Sequence, residues 1–206
     1  PGAIAPDFRF YYDCLMGPNA RSVLQALKRM DALPPISTIA VGHGPLLRHH
    51  LGLWLDDYRT WSSERSTGEA YAAVCYVSQY GFCDRLSQAI ARGIGKAGAA
   101  VQLVDLRASD AQELSALIGE ASAVVVPTWP ASADAELQAS IGTLLAALKT
   151  KQWVGCYDAF GGDDEPIDTV ASQLRGLGQK TAFEPLRVRQ VPGGSDYQRC
   201  EEAGTD

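Results

Sequence analysis

From residue 71 onward the chain alternates short, continuously apolar runs with longer amphipathic ones, and this alternation restricts its possible folds more than any other feature. Tyr71 to Val77, Val101 to Leu106, Ala123 to Pro127, Trp153 to Phe160 and Thr181 to Val188 read as strands. Between them, Asp84 to Ala97 places Leu86, Ala89, Ile90 and Ile94 on one helical face. Ser109 opens a helix with Gln112 three residues on, a capping-box spacing. Ala133 to Leu148 turns Leu137, Ile141, Leu144, Leu145 and Leu148 inward, Pro166 to Leu174 carries proline in its first turn, and a last helix begins near Ser195. A strand that is apolar throughout must be covered on both faces. Strands alternating with helices supply that cover as right-handed βαβ units around a parallel sheet.

Upstream the pattern is less regular. Ala20, Val23, Leu24, Leu27 and Met30 fall at helical spacing after the turn Gly17-Pro18-Asn19, and Pro34-Pro35 ends that helix. Ile36 to Val41 is a short β-prone run, Gly42-His43-Gly44-Pro45 a turn, and Leu46 to Trp61 a helix with Leu47, Leu51, Trp54, Leu55 and Tyr58 on one face. Residues 62–68 are polar and read as a linker. Charge shifts at the same place: residues 1–66 hold 7 Lys plus Arg against 6 Asp plus Glu, and residues 67–206 hold 11 against 18. The expectation is two parts, 1–66 and 67–206, of which the first is too small to make a good core alone.

The net charge of -6 argues against a nucleic-acid partner, and no apolar run is long enough to span a bilayer. Five cysteines, Cys14, Cys75, Cys83, Cys156 and Cys200, stand at wide spacing with no C-x-x-C. They read as reduced thiols in a cytoplasmic setting, with Cys75 and Cys156 acting as small apolar residues. The first residue is Pro1, not Met, and no secretory pattern follows it, so the expectation is a piece of a longer chain.

In an open parallel sheet, ligands bind beyond the carboxyl ends of the strands where the strand order reverses. Three loops are placed there. Ser78-Gln79-Tyr80-Gly81-Phe82-Cys83 leads from the first strand into a helix. Its hydroxyl groups, glycine and free helical N–H groups suit a phosphate monoester, and its lack of Lys or Arg suits a flavin phosphate better than a nucleoside triphosphate. The alternative is a plain strand-to-helix turn. The third strand ends in Pro127-Thr128-Trp129-Pro130, where Trp129 either stacks on a flat ring or caps the core. The fourth runs into Ala159-Phe160-Gly161-Gly162, whose glycines let backbone approach a planar ligand. Together the loops favour flavin mononucleotide, FMN. In the first part, His43 between two glycines suits a metal ligand, with a structural role as the alternative, while Arg48-His49-His50 reads as the polar face of a helix. No cluster of three or more ligands accompanies His43.

Tyr11-Tyr12-Asp13-Cys14-Leu15-Met16, then Ala20-Arg21, then Gly42-His43-Gly44-Pro45-Leu46-Leu47-Arg48, resemble the end of the metallo-β-lactamase-like domain of flavodiiron proteins. Ser78-Gln79-Tyr80-Gly81, Pro127-Thr128 and the run Phe160 to Pro166 resemble the flavodoxin-like domain that follows it, in the form found in cyanobacteria and other oxygenic phototrophs. The resemblance implies an α/β chain: a flavodoxin-like, doubly wound five-stranded parallel sheet, preceded by the C-terminal part of a metallo-β-lactamase-like αββα domain.

The same resemblance implies a photoprotective oxidoreductase that passes electrons through FMN to a diiron centre, reducing dioxygen to water, or nitric oxide in some members. It further implies a downstream flavin-reductase domain fed by NAD(P)H or another donor, and a homodimer or a heterodimer with a related flavodiiron subunit. His43 matches the last His ligand of the iron site, and the other ligands would lie upstream of Pro1. Ser78, Gln79, Tyr80, Gly81, Phe82 and Cys83 match the phosphate loop, with Pro127, Thr128, Trp129, Pro130, Ala159, Phe160, Gly161 and Gly162 framing the flavin ring. Cys83 stands where the family has a hydroxyl and a thiol is the weaker donor, yet flavin binding is expected to survive, because most phosphate donors are backbone N–H groups. A non-catalytic partner subunit with a degenerate iron site, or a simple flavodoxin-like electron carrier, are the alternatives.

Overall fold

The computed structural model describes residues 2, 4–17, 20–66, 70–77, 82–129, 134–150, 152–157, 167–188 and 191–206. The chain divides into two compact units, Pro1–Glu69 and Ala70–Asp206.

In the first unit, α1 (Ala5–Tyr11) has proline in its first turn and runs directly into a π-helical turn, Tyr12–Met16. Then come α2 (Ala20–Asp31) and α3 (Leu51–Ser66). Phe8 and Tyr12 meet Trp54, Tyr58 and Trp61 of α3 with ring centroids 4.8 to 5.3 Å apart, in tilted and edge-on arrangements that suit the ring quadrupoles. Tyr12 is fully buried, and its hydroxyl satisfies itself against the Ser62 hydroxyl at 2.9 Å. The Arg9 guanidinium lies 4.8 Å over the Trp61 ring.

Two sequence expectations fail here. Ile36 to Val41 is not a strand but makes one antiparallel bridge, Ile39 to Leu47, because among the described residues of this unit no strand lies beside it to extend the pairing. The helix expected from Leu46 begins at Leu51, so His49 and His50 precede it and do not form its polar face. His50 adopts a positive φ of 58°, which no helix interior allows, and its C=O accepts the N–H of Trp54.

The second unit is a sheet of five parallel strands in the order β2-β1-β3-β4-β5. Its elements run β1 (Tyr71–Tyr76), α4 (Phe82–Lys96), β2 (Ala100–Asp105), α5 (Ala111–Glu120), β3 (Ala123–Pro127), α6 (Ala135–Ala147), β4 (Trp153–Tyr157), α7 (Ile167–Gly176), β5 (Lys180–Thr181) and α8 (Gly194–Thr205). The inner strands β1, β3 and β4 are buried along nearly their whole length, whereas the edge strand β2 alternates. Helical cover on both faces produces the first pattern and its lack at an edge the second. The α4 and α8 backbones nearly touch: a Cβ built on Gly93 would lie 1.9 Å from the Glu201 carbonyl oxygen, and one on Gly204 2.2 Å from that of Ile90. Glu201 also receives ion pairs from Arg92 and Lys96 across this contact.

The capping expectation is displaced by one residue. Asp110, not Ser109, caps α5, accepting the Glu113 N–H at 2.9 Å, while the Ser109 hydroxyl donates back to the Asp105 carbonyl. A carboxylate is the stronger acceptor for a helix N-terminus. The fifth strand is also shorter than expected. The Ala182 N–H still donates to Val154, then the pairing with β4 lapses, where Phe183 lays its ring against Gly155 and Pro185 has no N–H, and it resumes where Leu186 donates to Cys156. Among the described residues, no helix is long and apolar enough to cross a membrane.

Candidate functional site at the carboxyl edge of the sheet

Strand order reverses at β1, which has β2 on one side and β3 on the other, so the crevice opens beyond the carboxyl ends of β1 and β3. Phe82 opens α4 immediately after the loop that leaves β1. The first N–H groups of α4 have no acceptor within the helix and carry the positive end of its dipole. Ser78, Gln79, Tyr80 and Gly81 lie outside the described residues, as do Pro130 and Ala159, Phe160, Gly161 and Gly162.

The structure brings Phe82, Cys83, Pro127, Thr128 and Trp129 to this one edge. Pro127 ends β3 in register with Tyr157 of β4. Thr128 is fully buried and its N–H donates to the Tyr157 carbonyl at 2.9 Å. Trp129 is half-buried and packs against the hydrophobic core, the capping alternative of the sequence reading. Cys83 is 2% exposed. Its sulfur accepts the Val77 N–H at 3.2 Å and lies 3.2 Å from the Tyr157 hydroxyl, so this side chain is turned into the protein. The thiol is thus occupied within the protein, and only the Cys83 backbone N–H is left to face the edge. Burial pushes the thiol up to about 11, against the pull of the Tyr157 and Val77 hydrogen bonds. Burial likewise holds the Tyr157 phenol well above its usual range, and both groups stay protonated at neutral pH.

Sequence reasoning missed Tyr157. Its signal was a polar tip at the last apolar position of a strand, which a buried site must satisfy. It also missed Arg107, at the carboxyl end of β2, whose guanidinium pairs with Asp134 at 2.9 Å. Asp134 caps α6 by accepting the Leu137 N–H, and it thereby anchors the far end of the loop that leaves β3. The Leu137 N–H first, then Arg107, hold its carboxyl below the usual range. A depressed carboxylate stabilises the fold above its unfolded pKa, and that contribution fades as pH falls through the folded value. Asp134→Asn keeps an acceptor but abolishes this titration. Urea unfolding on the acid side of pH 4 is expected to show a shallower pH slope for the variant, and an unchanged slope would refute the assignment.

His43 is exposed, between Gly42 and Gly44 with its φ of 108°. It lines an apolar groove of about 580 Å³ in the first unit with Phe8, Val23, Leu27, Trp54 and Tyr58. Among the described residues, no group of three or more His, Cys, Asp or Glu could hold a metal ion. His43 can thus be one ligand but not a site, and the described residues by themselves do not fit an iron centre.

Residues 74–204 match the flavodoxin family. Diflavin flavoprotein A 1 of Synechocystis is 54% identical over 205 residues, covering 100% of this chain and 36% of that protein. The chain thus spans about a third of the length of the curated relatives it matches. A crystal structure of the flavodoxin-like domain of a Synechococcus protein is 47% identical and covers 65% of this chain and 93% of that one, with a TM-score of 0.62. A flavodiiron core from Synechocystis is 36% identical over 98% of this chain and 51% of that one, with a TM-score of 0.69. A parallel sheet whose order reverses at β1 and a match of this extent make the chain a member of the diflavin flavoprotein, or flavodiiron, family, carrying the family's flavodoxin domain.

Proposed function

We propose that residues 67–206 bind FMN and relay electrons through it to a diiron centre that reduces dioxygen to water, with residues 1–66 contributing the end of the iron-binding domain. The observation that carries this reading is the convergence of the α4 N-terminus with Thr128 and Trp129 at the reversal point of the sheet. Bound FMN would supply the redox chemistry. Ser78 to Cys83 would hold its phosphate, using backbone N–H groups and the α4 dipole in place of a cation. The 78–83 loop carries no Lys or Arg, so backbone N–H groups would meet the phosphate charge, and residues 159–162 would face the ring while Trp129 closes the core beneath it. Pro127, Thr128 and Pro130 would set the backbone of the second ring-facing loop.

His43 would give one iron ligand in a longer protein. A flavin-reductase domain drawing on NAD(P)H, and pairing with a second flavodiiron subunit, complete the reading. They follow from the chain's resemblance to the phototroph members of the family.

Titrating the purified 206-residue chain with FMN tests the flavin claim. Quenching of flavin fluorescence and a perturbed visible spectrum are expected at micromolar concentrations, and a folded chain that leaves both unchanged rules the claim out. Gly81→Val is expected to weaken FMN by about tenfold or more, since a branched side chain crowds a phosphate wrapped by backbone. Unchanged affinity would place the phosphate elsewhere.

A further inference from the structure

A buried phenol needs hydrogen-bond partners, and those of Tyr157 lie on two other elements, β1 and α4. Its hydroxyl donates to the Cys75 carbonyl of β1 at 2.9 Å. With that hydrogen committed, the 3.2 Å approach of Cys83 is filled by the thiol hydrogen, donated to the phenol oxygen. The sulfur in turn accepts the Val77 N–H. A directed chain results: Val77 N–H to Cys83 sulfur, Cys83 S–H to Tyr157 oxygen, Tyr157 O–H to Cys75 carbonyl. Both titratable members keep their protons at neutral pH, so the chain persists there.

Two features give this chain a role beyond packing. Val77 and Cys83 flank residues 78–82, so the N–H to sulfur bond closes the neck of the loop that joins β1 to α4. The backbone of Tyr157 continues the network, its carbonyl accepting the Thr128 N–H and its position bridging Leu186. One residue therefore ties together the carboxyl ends of β1, β3 and β4 and the first turn of α4, from which all three proposed flavin loops depart.

We propose that Tyr157 and Cys83 are positioning residues for the flavin site, tying Val77 at the end of β1 and the first turn of α4 to each other and to the carboxyl ends of β3 and β4. Neither side chain would touch the cofactor; what Cys83 offers the phosphate is its backbone N–H. Fixing the neck removes conformational freedom that binding would otherwise have to suppress, which raises affinity without a new contact. This inference rests on the FMN reading above.

The test titrates FMN into the 206-residue chain and its Cys83→Ala, Cys83→Ser and Tyr157→Phe variants, with near-ultraviolet circular dichroism to confirm folding. Cys83→Ala and Tyr157→Phe are expected to weaken FMN about five- to tenfold, the loss of one or two neutral hydrogen bonds. Cys83→Ser, whose hydroxyl both accepts and donates, is expected to restore affinity to within about threefold of the unmodified chain. If Tyr157→Phe fails to fold, the Ala and Ser variants at Cys83 decide. A folded unmodified chain that ignores FMN overturns both the flavin reading and this inference. An unmodified chain that binds, with variants binding equally well or with serine no better than alanine, overturns the inference alone.

Discussion

Replacing Gly93 by alanine is expected to destabilise the second unit by about 3 kcal/mol and lower its melting temperature by about 10 °C. By intrinsic propensity the sign should be the opposite, because alanine in a helix interior is favoured over glycine by up to about 1 kcal/mol. Close approach decides the outcome. The added methyl would sit 1.9 Å from the Glu201 carbonyl oxygen, and the obstacle is backbone, which cannot swing aside as a side chain can. The two helices must part, and the buried Ile90, Ile94 and Cys200 lose packing. Gly95 of the same helix supplies the control, since a Cβ there meets nothing within 4 Å. Gly95→Ala should be neutral or slightly stabilising in the same thermal melt. A Gly93→Ala variant that melts within about 2 °C of the parent would contradict the close contact.

Gln152→Leu is expected to cost a similar amount, about 3 kcal/mol, for a different reason. Gln152 is 7% exposed and sits just before β4. Its amide nitrogen donates to the carbonyls of Ile118 at 2.8 Å and Ala121 at 2.6 Å, and its amide oxygen accepts the Lys149 N–H at 2.9 Å. One side chain thus satisfies three main-chain groups where α5 turns into β3 and where β4 begins. Leucine has nearly the same volume, so the substitution opens no large cavity; it strands polar groups in a place water reaches poorly. Urea unfolding measures the loss. A Gln88→Leu variant, whose glutamine is exposed and bonds only Asp84 one turn back, should stay within about 0.5 kcal/mol of the parent. A loss below about 1 kcal/mol at Gln152 would mean that solvent or a local shift satisfies the three groups instead.

Element type was legible wherever burial imposes a period. Tyr71 to Val77 and Ala123 to Pro127 are apolar throughout because both faces are covered, and both are strands. Leu137, Ile141 and Leu144 recur at helical spacing because one face of α6 is buried, and all three are buried. Legibility declined where competition between neighbours decides. Ser109 and Asp110 are both capping residues, and the carboxylate prevailed. Leu46 and Leu47 continue the apolar pattern of α3 backwards, yet His50 breaks the helix there and Leu47 pairs with Ile39. Thr181 to Val188 has strand composition, but Phe183 and Pro185 interrupt its pairing with β4.

Of the candidate site, the sequence pointed to the carboxyl edge, because a parallel sheet puts its crevice beyond the strands' carboxyl ends whatever its side chains are, and most of the loop residues it named lie outside the described residues. The sequence could not give the orientation of the Cys83 thiol, which is turned into the protein. What turned that thiol inward was Tyr157, 74 residues away.

The sequence by itself therefore determined the order of strands and helices, the parallel sheet and the edge where a ligand would lie, since these follow from local periodicity and the need to bury apolar faces. Only the tertiary structure decided which polar groups meet. The Tyr157–Cys83–Val77 chain, the Gln152 junction and the near contact of α4 with α8 each join residues remote in sequence. Hydrogen bonds and backbone contacts act over a few ångströms, and only the folded chain brings such partners within that range.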